Sequence, residues 1–214
     1  MSAFFPVILS APSGSGKTTI AKALLARRPD LGYSVSCTTR SPRPGEIEGR
    51  DYYFMSRTDF IAERERDAFA ESAVVHGNLY GTLRREVDRV LGGNKHVVMD
   101  IDVQGASQFV RAFPQSVGIF ILPPTADVLL GRLRGRQTES PAQLAARLQS
   151  ALQELQNVDE YEYVVVNDEL ERAVASVGSI IDAETVSRER VKNLRQQVGQ
   201  LIERLELEIE NTTP

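Results

Sequence analysis

The stretch SAPSGSGKTT, residues 10–19, brings two glycines, a lysine and two threonines into close succession after the apolar run FFPVIL. A glycine-rich turn between a strand and a helix lets successive backbone N–H groups converge on one point, and the helix N-terminus adds its partial positive charge. The product is an anion cradle, and polyphosphate is its natural occupant. Lys17 can reach β- and γ-phosphate oxygens, while the Thr18 hydroxyl can ligand the Mg²⁺ that bridges them. Ala11, Pro12, Ser13, Gly14, Ser15, Gly16, Lys17, Thr18 and Thr19 are therefore candidate ATP-binding residues. Ala11 stands where the pattern G-x-x-x-x-G-K-[ST] begins with glycine, which is tolerable only if that residue needs no positive φ. A turn that merely joined strand to helix would leave the GKTT run without a reason.

A phosphate cradle does not name the acceptor. In SCTTRSPRPGEIEGRDYYF, Arg40 and Arg43 lie three apart around a proline, close enough to converge on one anion in the fork geometry that suits phosphate. Tyr52, and Tyr80 in GNLYGT, offer phenolic hydroxyls; the plainer alternative is solvated loop charges and strand filler. Asp100 ends an apolar strand, where P-loop proteins place the acid that helps hold Mg²⁺, directly or through water. Asp102, two residues on, shares its face if the strand persists, or else caps the following helix. Arg132 and Arg136 are four apart and share a helix face, with Arg147 on the next helix.

The elements that must carry these residues alternate along the chain. Residues 4–10, 96–102, 117–122 and 161–167 read as strands buried on both faces, and residues 17–27 as a helix. This predicts an α/β fold, a mainly parallel sheet flanked by helices. Residues 34–92 change character: short strand-like runs surround a proline and glycine loop, which predicts an inserted, partly β subdomain. Residues 126–158 read as two helical stretches joined by a polar turn, with Ser140 as N-cap and Pro141 at the first helical position. The expected organisation is a core of 1–33, 93–125 and 159–190, interrupted by these insertions, with a helical extension over 191–214. No proline interrupts residues 170–210, so a long amphipathic helix is expected there. Its apolar stripe of Leu194, Val198, Leu201 and Leu205 either lies on its own domain or contacts another subunit as a homo-oligomer.

Composition narrows the classes. The 214 residues are 42% hydrophobic and carry a net charge of −4, which gives no basic face for nucleic acid. Cys37 is the single cysteine, which fits a reducing, cytoplasmic location. The N-terminal apolar run has no basic residues before it and is not expected to be a secretory signal. No apolar stretch reaches the ~18–20 residues of a membrane span. His76 and His96 are too far apart in sequence for a metal site and read as structural.

In this order and at these intervals, SAPSGSGKTT, VSCTTRSPRPGEIEGRDYYF, HGNLYGT, VVMDIDVQGA, RLRGR and VVVND resemble the guanylate kinase family over residues 7–184. The resemblance implies transfer of the γ-phosphate of ATP to GMP or dGMP, with Mg²⁺ as cofactor. It also implies a core P-loop domain, a GMP-binding subdomain over 34–92 and a mobile lid over 126–158. Guanine presents N1–H and N2–H₂ donors beside an O6 acceptor, which want carboxylates and hydroxyls respectively. Glu71 and Asp102 resemble the family's carboxylates, and Ser36 and Thr82 its hydroxyls. Arg40, Arg43, Tyr52 and Tyr80 match residues around the GMP phosphate, with Asp100 beside them and Glu46 supporting. Arg132, Arg136 and Arg147 match arginines that close over the transferring phosphate, and Asn167 and Asp168 match a pair near the adenine. Lys17, Arg40, Arg132, Arg136 and Arg147 are thus the expected catalytic set.

Three alternatives stand beside this one. A peptide-binding module of similar fold would be expected to lose Lys17 and the lid arginines, which are present. A kinase of another small phosphorylated acceptor would lack Ser36, Glu71, Thr82 and Asp102 as a set. A regulatory GTPase would carry an N-K-x-D tetrapeptide, and none occurs.

Overall fold

The computed structural model describes residues 4–75, 77–134 and 141–212, and side chains outside 135–143. Ser140, Arg136 and His76 lie outside the described residues. The unit Phe4–Gly178 is described first.

The strands β1 (Pro6–Ser10), β2 (Leu31–Tyr33), β7 (His96–Asp100), β8 (Val117–Leu122) and β9 (Tyr163–Val166) form one parallel sheet in the order β2-β7-β1-β8-β9. Its register places Leu9 beside both Asp100 and Ile119, so the carboxyl ends of the three central strands lie side by side. Ligands of open α/β sheets sit at that edge. β1 is buried along its whole length, as its unbroken apolar run requires. The helix α1 (Lys17–Arg27) follows directly from the glycine turn and buries Ile20, Ala21 and Leu24. His96 is buried, and its Nδ1 accepts the Phe5 N–H at 3.3 Å, a structural role.

A second sheet joins β3 (Cys37–Thr38), β4 (Tyr53–Phe54), β5 (Phe69–Val75) and β6 (Asn78–Leu83) in the order β4-β3-β6-β5. The helix α2 (Arg57–Glu65) begins at Ser56, whose hydroxyl accepts the Asp59 N–H at 3.0 Å. Its Phe60 stacks on Phe69 and, with Cys37, Leu79 and Leu83, forms a separate apolar cluster under this sheet. Burial pushes the Cys37 thiol up to about 12, so it is packing material and no nucleophile. The helix α3 (Arg84–Gly92) leads back to the first sheet. α4 (Val103–Ala112) covers it with Ala106 and Phe109, which pack on Ile8, Val97 and Met99.

Beyond β8, α5 (Ala126–Arg134) and α6 (Pro141–Leu155) pack through Leu129, Leu133 and Ala151. Pro141 opens α6. A 3-10 turn at Val158–Glu160 precedes β9, and α7 (Leu170–Thr185) follows it.

The second unit contains Ser179–Pro214. The single long helix expected over residues 170–210 is two helices, α7 and α8 (Leu194–Thr212). Without a proline, the break is made by turn hydrogen bonds at Val186, Ser187 and Arg190 and by Asn193 at φ 57. An Arg190–Glu184 pair at 3.0 Å fastens the turn. Val198, Leu201, Ile202 and Leu205 of α8 are exposed.

Candidate active site

Residues 11–16 form the turn between β1 and α1. Gly14 and Gly16 hold φ of 85° and 90°, the left-handed region that favours glycine. Ala11 is absent from the positive-φ positions and is buried, so alanine serves in place of the first glycine. The Ser15 N–H closes the turn on the Pro12 carbonyl at 3.0 Å. The N–H groups of Gly14, Gly16, Lys17 and Thr18 have no acceptor among the described residues. The Ser15 hydroxyl is likewise buried without a partner. Donors without acceptors around two left-handed glycines are what a phosphate group would satisfy.

The end of β7 supplies the other wall. Lys17 Nζ lies 3.1 Å from Asp100 Oδ1 and donates to the Ile101 carbonyl at 3.1 Å. The Thr18 hydroxyl donates to the second Asp100 oxygen. A hydroxyl beside a carboxylate at a phosphate cradle is a hard oxygen pair of the kind that Mg²⁺ takes together with phosphate and water. The chain extends no further as a strand: Asp102 is the N-cap of α4, its Oδ1 accepting the Gly105 N–H at 2.8 Å. Of the two readings open for Asp102, a shared strand face or a helix cap, the structure has the cap, because the first turn of α4 needs an acceptor.

Asn167 bonds the glycine loop itself. Its buried Nδ2 donates to the Ser15 carbonyl at 2.7 Å, and a side chain at Gly16 would collide with it. It holds the loop's backbone. Asp168 pairs with Arg172 at 3.0 Å and accepts the Glu169 N–H. Arg132 lies over the loop, with Nη1 3.4 Å from the Gly14 carbonyl. A cavity of about 300 Å³ is lined here by Gly14, Gly16, Thr19, Arg132, Asn167 and Asp168. A larger one, about 350 Å³, lies between α4, Gly118 of β8 and the segment Glu160–Glu162 before β9, and contains none of these groups. Arg147 is buried, its Nη1 donating to the Leu133 carbonyl at 2.8 Å.

On the second sheet, Glu71 of β5 pairs directly across from Thr82 of β6. The Thr82 hydroxyl donates to Glu71 Oε1 at 2.7 Å, and both are buried. A Cβ at Gly105 would stand 2.7 Å from Glu71 Oε2, so the missing side chain at the start of α4 makes room for the carboxylate. Burial pushes the Glu71 carboxyl up to about 7; Thr82 opposes this and the nearby Asp102 charge adds to it. Arg40 donates to both Glu46 oxygens at 2.8 and 3.0 Å and to the Tyr80 hydroxyl at 3.2 Å, with its guanidinium 5.5 Å from the Tyr52 ring centre. Glu46 also accepts the Arg43 N–H at 2.7 Å, so it orients both arginines' segment. The Arg43 residue is exposed, and Ser36 is half-buried just before β3.

Three contributors are missing from the sequence-based set. Gly105 carried a readable signal, a glycine in a helix's first turn. Gln108 clamps Ser72 through both its N–H, at 3.2 Å, and its carbonyl, at 3.0 Å. Glu154 accepts the Ser13 N–H at 3.1 Å from 141 residues away. Neither of these last two belongs to a local pattern.

The family model described as guanylate kinase matches residues 4–184. A guanylate kinase of Nitrosospira multiformis is 44% identical over 191 residues, 89% of each chain. One of Rhizobium meliloti is 46% identical over 197 residues, 92% of this chain and 90% of its own. The chain belongs to the guanylate kinase family. The crystal structure of guanylate kinase from Anaplasma phagocytophilum matches with a TM-score of 0.76 at 33% identity, covering 92% of this chain and 94% of that one. Enzymes of the family are ATP:GMP phosphotransferases, and this chain is a nucleoside monophosphate kinase of that class. Among the described residues no helix is long and apolar enough to cross a membrane.

Proposed function

We propose that the end of β7 divides the reaction between two sites: Asp100 serves the ATP phosphates and Asp102 the guanine of GMP or dGMP. One observation carries this: Asp100 bonds Lys17 and Thr18 of the cradle, while Asp102, two residues on, caps the helix whose Gly105 abuts Glu71. The backbone amides of residues 14–18 and Lys17 grip the β- and γ-phosphates. Glu71 accepts from guanine N1–H and N2–H₂, while Thr82 fixes its orientation and Ser36 offers a hydroxyl at the rim. Arg40, Arg43, Tyr52 and Tyr80 hold the GMP phosphate, oriented by Glu46.

Thr18 and Asp100 would hold Mg²⁺, which when bound offsets charge on the phosphoryl group. Arg132, Arg136 and Arg147 on residues 126–158, the lid, stabilise the same charge. The GMP phosphate is itself anionic, so alignment and charge stabilisation suffice without a general base. Lid closure keeps water from accepting the phosphoryl group. The enzyme works in the cytoplasm, and no nucleic acid takes part.

The test is ADP formation from ATP and Mg²⁺ with GMP, dGMP, AMP, UMP and CMP in parallel. Turnover is expected with GMP and, more weakly, dGMP. Equal rates with AMP would overturn the pocket, and no turnover with any acceptor would favour the peptide-binding module.

For α8 the partner is a second copy of the chain. Arg195 lies in the first turn of α8 with Arg188 and Lys192 just before it, Arg190 being held by Glu184, while Glu203, Glu206, Glu208 and Glu210, against Arg204, occupy the far half of the helix. Antiparallel pairing of two copies joins opposite charges along the exposed Val198–Leu201–Leu205 stripe, whereas parallel pairing joins like charges. A dimer by sedimentation, abolished by Leu201→Glu, is expected; a wild-type monomer sinks this assignment.

A further inference from the structure

We propose that Glu154 is a positioning residue for the phosphate donor: from α6 its carboxylate takes the Ser13 N–H and fixes the outer turn of the P-loop against that helix. The bond is 3.1 Å long and spans 141 residues. Among the described residues, Ser13 is the one position between Ser13 and Thr18 whose backbone N–H is held by a side chain; that of Ser15 closes the turn itself. Glu154 shares a face of α6 with Ala151 and Arg147, three and seven residues earlier. Ala151 packs on Leu129 and Leu133 of α5, and Arg147 donates to the Leu133 carbonyl. α5 in turn reaches the loop through Arg132 at Gly14.

The P-loop is thus held at adjacent residues by both lid helices, and the α6 contact depends on a single carboxylate. That carboxylate is half-buried; burial pushes its pKa up, while the Ser13 N–H and the positive field of Lys17 oppose the shift. A desolvated acceptor on a backbone N–H makes a strong, directional bond. Its loss frees the turn that aims the remaining amides, so donor affinity suffers and acceptor affinity does not.

The inference rests on residues 11–19 being the donor cradle, which Lys17→Ala checks in the same assay: that variant must lose ATP use whatever Glu154 does. Glu154→Ala removes the acceptor, Glu154→Asp keeps the charge but withdraws it by a methylene, and Glu154→Gln keeps an acceptor at full length. Losing one charge-assisted bond is expected to raise the KM for ATP about tenfold in the Ala and Asp variants, with the KM for GMP changed less than about twofold. Titration with ADP should show the same weakening in the free enzyme. Glu154→Gln is expected to recover most of the affinity, and melting temperatures should stay near wild type. An unchanged KM for ATP in both the Ala and Asp variants overturns the proposal. So does a parallel rise of both KM values with a fall in melting temperature, or a Gln variant as weak as Ala.

Discussion

The proposed donor cradle and the proposed acceptor pocket meet at the end of β7, yet they are built from different material. The cradle is contiguous, residues 11–19, and the donors it leaves without acceptors among the described residues are mostly main-chain N–H groups, shaped by two left-handed glycines. The pocket is assembled from side chains on β5, β6, the cap of α4 and the loop after β3. A main-chain site tolerates changed side chains but not a changed backbone. A side-chain site should behave in the opposite way.

The largest test of that contrast falls on the pocket. Replacing Glu71 by Gln keeps the shape and a partner for Thr82 but puts an N–H₂ group and a neutral oxygen before guanine's donors. Two charge-assisted bonds are weakened, and kcat/KM for GMP is expected to fall about 10²-fold with the KM for ATP unchanged. Unchanged GMP kinetics would remove Glu71 from the site. On the cradle side, Gly16→Ala adds only a methyl, but at φ 90° and against Asn167. Left-handed strain alone costs about 1–2 kcal/mol, so ATP use should fall about tenfold or more, with GMP affinity retained. A harmless Gly16→Ala would mean that backbone geometry does not make this site.

Proton binding separates the two halves further. With the Glu71 carboxyl near 7, its charged fraction drops about tenfold from pH 8 to pH 6, and the KM for GMP should rise by a similar factor. The GMP phosphate also titrates, at a pKa near 6, so Glu71→Gln is the control: the part of the slope that it abolishes belongs to the protein. Stability runs the other way. The fold binds this proton more tightly than the unfolded chain does, so between the ordinary carboxyl value and about 7 each rise in pH costs stability. The unliganded enzyme should therefore gain stability through Glu71 as pH falls from 8 to 6, while losing GMP.

The same contrast decides what the sequence made legible. The P-loop and the central strands are local patterns, and α1 starts at Lys17 as its spacing predicts. The pocket residues came instead through family resemblance, because no local period links Ser36, Glu71, Thr82 and Asp102. Where one residue had two uses, sequence left the choice open: Asp102 is held by the cap, which a two-residue spacing cannot reveal. Asn167 and Glu154 bond backbone atoms more than 140 residues away, so the sequence gives no neighbour from which to read their roles. The break between α7 and α8 depends on Asn193 taking a positive φ, where apolar periodicity alone favoured one helix.

The smallest expected effect is the sharpest on principle. Ala11 occupies the position where the P-loop pattern has glycine, is buried, and needs no positive φ. If the cradle is made by main-chain amides, Ala11→Gly restores the motif without moving any of them, and the KM for ATP should change less than about twofold. What the change does alter is the unfolded chain, which gains backbone freedom, and the core, which loses a methyl. A loss of about 0.5–1 kcal/mol, seen as a lower midpoint in denaturant, is expected with kinetics intact. A clear gain in ATP affinity would instead mean that the alanine methyl presses on the donor site, and that even here a side chain sets the fit.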